Sequence, residues 1–190
     1  MNIHELIKFR RTIRKFKQTP LSEEQIRKYI DAARVAPAAA NVQPLKYIAV
    51  QSADMAEKVF PLVKWAGYLA PDYDPKPGER PVAYIVVCTD NDIRKGGNDM
   101  DVGASVENII LSALGDGVGA CWMLSVDRPA IKELLNISDT LEVSCVVAMG
   151  YPAEEPREVE VTDGIKYYLG DDGRLCVPKR SMDDVLIDIV

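Results

Sequence analysis

The sequence predicts a single-domain α+β or α/β sandwich over residues 1–190, and three observations support this fold class. The chain is 47% hydrophobic and 27% charged, the balance of an ordinary globular domain. Apolar runs typical of buried strands occupy residues 82–89, 120–125 and 141–150. Segments with the period of amphipathic helices separate these runs. All of the apolar runs are much shorter than the roughly 18 residues of a membrane-spanning helix.

The first two predicted elements are helices. Apolar residues recur at helical spacing over residues 3–10, and this helix should end near Arg11, where β-branched residues favour extended backbone. Ser22 and Gln25 form a capping-box pattern. This pattern predicts a second helix that begins after Ser22 and ends before Pro37.

Strand and helix signals then alternate along the chain. Residues 38–44 should form a loop and residues 45–50 a strand. A helix over residues 54–64 should follow, disturbed by Pro61. Residues 70–81 contain four prolines, so we expect an irregular excursion before the buried strand at residue 82.

The second half of the chain begins with a core helix over residues 101–114, which carries a long apolar face. Glycines at positions 115, 117 and 119 come after this helix and before a strand, the reverse of a dinucleotide-binding turn, so they should end the helix. Asp127 should cap a short helix that ends at residue 135. A hairpin over residues 167–177 and a helix beginning at Ser181 complete the chain.

Charge is concentrated near the N-terminus. The formal net charge is −6, from 23 basic and 29 acidic residues. Residues 8–17 hold six basic side chains and no acidic one, which leaves 17 basic against 29 acidic elsewhere. Because this acidic remainder would repel a long phosphate backbone, the basic cluster favours a small anion over nucleic acid.

The reactive side chains exclude several enzyme classes. The single histidine, His4, and four dispersed cysteines cannot form a recognisable zinc site, a Ser/His/Asp triad or a Cys/His dyad, so no metal is expected. The cysteines are Cys88, Cys121, Cys145 and Cys176. They are predicted to be buried thiols in a reducing cytoplasm.

The basic cluster could bind an anion with two oxygens in one plane, because arginine forks match that geometry. Its candidate ligands are Arg10, Arg11, Thr12 and Arg14. A solvated helix end is the alternative. Asn41 and Gln43 could contact a polyol or a heterocyclic edge, or could cap their own loop.

Taken in order, five segments resemble the FMN-dependent nitroreductase family over nearly the whole chain. They are R-R-T-I-R-K-F at residues 10–16, the A-P-A-A-A-N-V-Q-P region at 33–50, the segment at 101–122 that begins with the core helix, V-A-M-G-Y-P at 147–152 and P-K-R-S-M-D-D-V at 178–185. The resemblance implies an α+β sandwich with a mixed, mostly antiparallel sheet flanked by helices. It also implies an intimate, domain-swapped-style homodimer with two FMN sites at its interface.

The resemblance further implies which residues contact FMN. The phosphate would be bound by Arg10, Thr12 and Arg180, with Lys179 close by, and the ribityl chain and pyrimidine edge by Arg11 and Arg14. The partner would contribute Pro37, Ala38, Ala39 and Asn41, with Gln43 in the same loop. The flavin ring would face the backbone of Leu124 and Ser125. Two departures concern the pocket. Three alanines at 38–40 replace the usual serines, and Leu45 replaces a common tryptophan.

Three aromatic residues near the proline-rich excursion are candidates for a substrate-covering flap: Trp65, Tyr68 and Tyr73. The alternative is that they pack a surface loop, with Trp65 in the core. No side chain is assigned as catalytic.

The resemblance implies an oxidoreductase that takes a hydride from NAD(P)H through FMN and passes it to a nitroaromatic compound or a quinone. The sequence leaves open NADH against NADPH and the physiological acceptor. A flavin-binding protein without reductase turnover, serving as a sensor or store, is the alternative.

Overall fold

The computed structural model describes residues 2–190, and its centre is a four-stranded antiparallel sheet. The strands are β1 (Leu45–Val50), β2 (Ala83–Asp90), β3 (Gly119–Met123) and β4 (Leu141–Gly150), in the order β1-β2-β4-β3. The two central strands, β2 and β4, are buried along most of their length. Because both of their faces are covered, they are continuous apolar runs in the sequence.

Helices cover both faces of this sheet and confirm the predicted sandwich. On one face lie α2 (Glu23–Arg34) and α4 (Asp99–Gly115), and on the other lie α3 (Ala53–Val59) and α5 (Arg128–Leu134). Strand β2 contributes alternate residues to the two cores, with Ile85 on the α4 side and Val86 on the α5 side.

The predicted helix signals are confirmed, with one correction. The Ser22 hydroxyl accepts from the N–H of Gln25, whose side chain returns the contact as a capping box. The Asp127 carboxylate accepts from the third residue of α5. The helix predicted over residues 54–64 is shorter, since α3 ends at Val59 and Pro61 lies in a following 3-10 turn.

The N-terminal helix α1 (Ile3–Phe9) contains no buried residue. It ends at Phe9, with Arg10 as its C-cap, close to the predicted end near Arg11. No helix among residues 2–190 is both long and apolar enough to cross a membrane.

A second, three-stranded sheet lies near the C-terminus. It contains β5 (Arg157–Glu160), β6 (Tyr168–Leu169) and β7 (Leu175–Lys179) in the order β5-β7-β6, followed by α6 (Met182–Val185). The hairpin of β6 and β7 confirms the prediction. The parallel pairing of β5 with β7 was not predicted, because β5 is a short, charged R-E-V-E segment without an apolar run.

Candidate functional site

The arginine segment, residues 10–17, packs against the core as an irregular segment held by backbone hydrogen bonds and one isolated bridge, Phe16 with Pro152. The Ile13 N–H donates to the carbonyl of Ala120 in β3 at 3.0 Å, and the Lys17 N–H donates to the carbonyl of Tyr151 at 2.8 Å. The Ile13 side chain is almost entirely buried. The fold therefore fixes the backbone from which the predicted anion ligands project.

Two glycines leave room for the arginine segment to pack closely against β3 and the end of β4. A Cβ atom at Gly119 would lie 2.6 Å from Cγ1 of Ile13, and one at Gly150 would lie 3.1 Å from Phe16. Gly119 thus has a packing role in addition to the predicted helix stop, for which Gly117 supplies the left-handed residue with φ +73°.

Glu154 joins the arginine segment to the proline-rich segment, residues 65–81. Its carboxylate accepts from the N–H groups of Arg14 and Lys15 and from the hydroxyl of Tyr73. Burial, and then the Glu154 carboxylate, raise the pKa of Tyr73 well above its ordinary value, so the phenol remains a donor. The Lys15 ammonium lies 4.6 Å from the Tyr73 ring centroid.

A groove of about 980 Å³ runs beside the arginine segment. Six basic side chains line it: Lys8, Arg10, Arg11, Lys17, Arg157 and Arg174. Three acidic side chains line it as well: Glu154, Glu155 and Glu158. The groove is therefore net positive in a protein whose net charge is −6, which favours an anionic ligand.

The arginines of this groove already contact carboxylates, but one donor is unused. Arg10 Nε lies 3.5 Å from the Glu107 carboxylate, and Arg11 pairs with Glu158. Among the residues that the structure describes, Arg11 Nε is buried and has no hydrogen-bond partner. An oxygen atom of a ligand in the groove would provide one, so the donor set fits an anionic, oxygen-rich ligand.

The amide loop, residues 37–43, has an unusual backbone. Ala40, Asn41 and Gln43 have φ angles of 50°, 54° and 53°, the left-handed region that non-glycine residues rarely occupy. The Gln43 side chain donates to the Asn41 side chain at 3.0 Å, so these two amides partly satisfy each other.

One buried carboxylate anchors the amide loop. Asp101, in the first turn of α4, is 4% exposed and accepts from the Ala39 N–H at 3.0 Å. The other carboxylate oxygen of Asp101, Oδ2, lies 3.6 Å from Nη1 of Arg94. Asp101 was not identified from the sequence, because an acidic residue at a helix start is ordinarily explained by the helix dipole.

The amide loop and the arginine segment line different cavities. Pro37, Ala38 and Gln43 line a smaller cavity of about 220 Å³ with Asp101. None of these residues is among those lining the large groove. Within one chain, the two sets of predicted cofactor ligands therefore do not converge.

Four further predicted cofactor ligands are exposed to solvent. Leu124 and Ser125 follow β3 and are exposed, and their carbonyls accept from Arg128 and from the Lys64 N–H. Lys179 and Arg180 lie exposed at the end of β7 and are outside the residues that line the groove.

The three predicted flap aromatics occupy different environments. Trp65 is 4% exposed and stacks on Phe60 with 5.5 Å between ring centroids, as in the core alternative. Tyr73 is buried beside Glu154. Tyr68 is exposed and contacts Tyr167, 99 residues further along the chain. Tyr167 was not identified from the sequence, because the spacing of the residues around it does not indicate a contact with Tyr68.

Comparison with known proteins identifies the family to which this chain belongs. The model of the family described as "Nitroreductase family" matches residues 7–151. A protein of Archaeoglobus fulgidus, provisionally named NADH dehydrogenase/NAD(P)H nitroreductase, is 34% identical over 166 residues, which cover 84% of this chain and 90% of the relative.

Solved structures agree at the level of the fold. A nitroreductase family protein of Clostridium difficile 630 superposes with a TM-score of 0.67 at 26% identity, covering 83% of this chain and 88% of the other. A nitroreductase of Desulfovibrio desulfuricans, solved in complex with FMN, superposes with a TM-score of 0.69 at 20% identity, covering 86% and 93%.

Proposed function

Because the chain belongs to the nitroreductase family, we propose that it is an FMN-containing, NAD(P)H-dependent oxidoreductase that acts on electron-poor acceptors such as nitroaromatic compounds or quinones. The observation that carries the proposal is the net-positive groove beside the arginine segment, with its unused buried guanidinium donor. FMN bound to the solved relative of Desulfovibrio desulfuricans supports the choice of cofactor.

In this proposal Arg10 and Thr12 bind the FMN phosphate together with Lys179 and Arg180, and Arg11 and Arg14 contact the ribityl chain and pyrimidine edge. FMN held by these residues would supply hydride transfer between NAD(P)H and the acceptor. The guanidinium at the pyrimidine edge would stabilise the negative charge that reduction places there.

The net reaction with a nitroaromatic acceptor balances without a protein acid or base. R–NO₂ + NAD(P)H + H⁺ gives R–NO + NAD(P)⁺ + H₂O, with the proton taken from water or a substrate group. The acceptor gains two electrons and the nicotinamide loses two. The chain therefore needs only to bind, orient and charge-stabilise the reactants.

We also propose that the protein is a homodimer whose partner supplies Pro37, Ala38, Ala39 and Asn41 to each site. The two sets of ligands line separate cavities within one chain, which supports sites completed by a second copy. Exposed apolar side chains at both ends of the chain and just after β3 support an extensive interface. These include Ile3, Phe9, Leu124, Ile187 and Ile189.

The proposal places the protein in the reducing cytoplasm, because all four cysteines, which lie in the described part of the chain, are free and buried. Burial raises the pKa of the Cys88 thiol to about 11 and that of Cys145 to about 12. Cys88 and Cys145 are therefore protonated and unreactive at neutral pH, and the redox chemistry is assigned to FMN.

The deciding experiment compares FMN with riboflavin. The purified protein should bind FMN stoichiometrically and riboflavin much more weakly, since riboflavin lacks the phosphate that the arginines would grip. Anaerobic NADH or NADPH should then bleach the flavin absorbance, and a quinone should restore it. Tight binding without bleaching would instead support a flavin-binding sensor or store.

The dimer has its own test. Sedimentation at micromolar concentration should show a dimer, and added FMN should raise the melting temperature by mass action. A monomer that retains FMN tightly would contradict the shared sites.

A further inference from the structure

We propose that Tyr68, Tyr167 and Lys166, together with Arg14, form an aromatic platform that selects flat, electron-poor acceptors carrying a negative charge. The inference rests on the proposed function and deepens it, because it names a class of acceptor. Neither Lys166 nor Tyr167 lies within the family match, which ends at residue 151.

The two tyrosines hold each other in place. Their ring centroids are 4.9 Å apart with planes tilted by 48°, and the Tyr68 N–H donates to the Tyr167 hydroxyl at 3.3 Å. The contact joins the proline-rich segment to the second sheet. Tyr68 is 56% exposed, so much of its side chain remains available to a flat ligand.

A small separate core supports the pair. Ala66, Tyr73 and Leu175 are buried there, and Leu69 and Tyr167 pack against them. The platform therefore stands on packed side chains from two segments of the chain. A preorganised surface of this kind loses little entropy when it binds a rigid ring.

Positive charge flanks both rings. The Arg14 guanidinium carbon lies 4.9 Å from the Tyr167 centroid, and the Lys166 ammonium lies 5.5 Å from the Tyr68 centroid. Within residues 2–190 neither cation forms a salt bridge with a carboxylate, although Glu154 accepts from the Arg14 backbone N–H. Lys166 is thus available to an anionic substituent on a stacked acceptor, and Arg14 adds positive charge beside the Tyr167 ring.

Arg14 connects this platform to the cofactor. The proposed function assigns the Arg14 guanidinium to the pyrimidine edge of FMN, and the same group lies against the Tyr167 ring. An acceptor on the tyrosines would therefore lie beside the flavin, with its anionic group near Lys166.

The test compares 4-nitrobenzoate with the neutral, similarly shaped 4-nitrobenzamide on the FMN-loaded dimer. The informative quantity is the change in their kcat/KM ratio on substitution, since the two nitro groups differ in intrinsic reactivity. Lys166→Gln should lower the benzoate-to-benzamide ratio about two- to fivefold, the range of an exposed charge contact. Lys166→Glu should lower it further.

Two controls isolate the charge. Lys28→Gln removes the same charge from α2, where Lys28 pairs with Asp116, and should leave the ratio at its wild-type value. Raising the ionic strength from about 0.01 M to about 1 M shortens the Debye length from about 30 Å to about 3 Å and should reduce the wild-type ratio.

The rings are tested separately. Tyr167→Leu should lower kcat/KM for both acceptors about two- to tenfold, the range of an aromatic contact, with unchanged FMN content. Tyr167→Phe keeps the ring and should retain most of the activity. Melting temperatures identify any variant that loses activity through unfolding.

The outcomes distinguish the two proposals. If the Lys166 variants keep the wild-type ratio while 4-nitrobenzamide is reduced normally, the platform is overturned and the proposed function stands. If the wild-type protein binds no FMN, or reduces neither compound with NAD(P)H, the proposed function fails and the platform fails with it.

Discussion

The arginine segment and the amide loop contribute to the same proposed cofactor site, but the fold holds them by different means. The arginine segment has backbone hydrogen bonds to β3 and to Tyr151 just after β4, buried side chains at Ile13 and Phe16, and contacts to the Glu154 carboxylate. The amide loop has a single 3-10 turn and one buried anchor, Asp101.

The difference shows which of the two segments a single chain can hold in its observed conformation without a partner. The arginine segment is supported by the core of its own chain, so losing one contact should leave its backbone in place. The amide loop contains three non-glycine residues in the left-handed region, each costing on the order of 1 kcal/mol or more, and needs surroundings that enforce this conformation. In our proposal the partner's FMN site provides part of those surroundings.

The largest expected effect is on the phosphate contact. Arg10→Ala should weaken FMN binding about tenfold to a hundredfold, because charge-assisted contacts contribute roughly 1.5–3 kcal/mol each. Arg27→Ala, which removes an exposed arginine paired with Glu23 on α2, is the matched control. Fluorescence titration with FMN and riboflavin measures both affinities. Equal weakening for the two flavins would show that Arg10 does not contact the phosphate.

An intermediate effect is expected at the carboxylate that ties the arginine segment to the proline-rich segment. Glu154→Ala leaves the N–H groups of Arg14 and Lys15 and the hydroxyl of Tyr73 without their acceptor, and should cost about 2 kcal/mol of folding stability. Glu154→Gln keeps an acceptor oxygen and should cost less. Urea denaturation of the apoprotein measures both variants, and equal losses would mean that the hydrogen bonds do not matter.

The smallest expected effect on stability is at the amide loop. Asp101→Ala removes the acceptor of the Ala39 N–H and should cost about 1 kcal/mol in the apoprotein. Asp101→Asn retains an acceptor oxygen and serves as the comparison. If the loop acts mainly in the assembled site, FMN release from the Asp101→Ala dimer should accelerate more than its stability falls. A stability loss as large as that of Glu154→Ala would remove the contrast between the two regions.

The proposed cofactor contacts have a clearer local sequence signal than the proposed acceptor contacts. The arginines are close in sequence, so a local pattern predicts that they act together, and Arg10 and Arg11 line the net-positive groove. The aromatic residues depend on distant contacts. Trp65 packs into the core and Tyr68 meets Tyr167 across 99 residues, and neither environment has a signature in local spacing.

Local patterns also determined most of the secondary structure. Strands β1 and β4 have the predicted bounds, and the caps at Ser22, Asp127 and Ser181 are confirmed. These features depend on residues within a few positions of each other, through side-chain period and hydrogen bonds to the nearest N–H groups.

By itself the sequence determined the sandwich class and the family resemblance, and it predicted an anion site in the N-terminal segment, because each of these depends on patterns among neighbouring residues. Only the tertiary structure decided which residues from distant segments meet: Ile13 against Gly119, Glu154 with Tyr73, and Tyr68 with Tyr167. Such contacts arise from the packing of whole layers, in which a close approach depends on the shape of every intervening side chain.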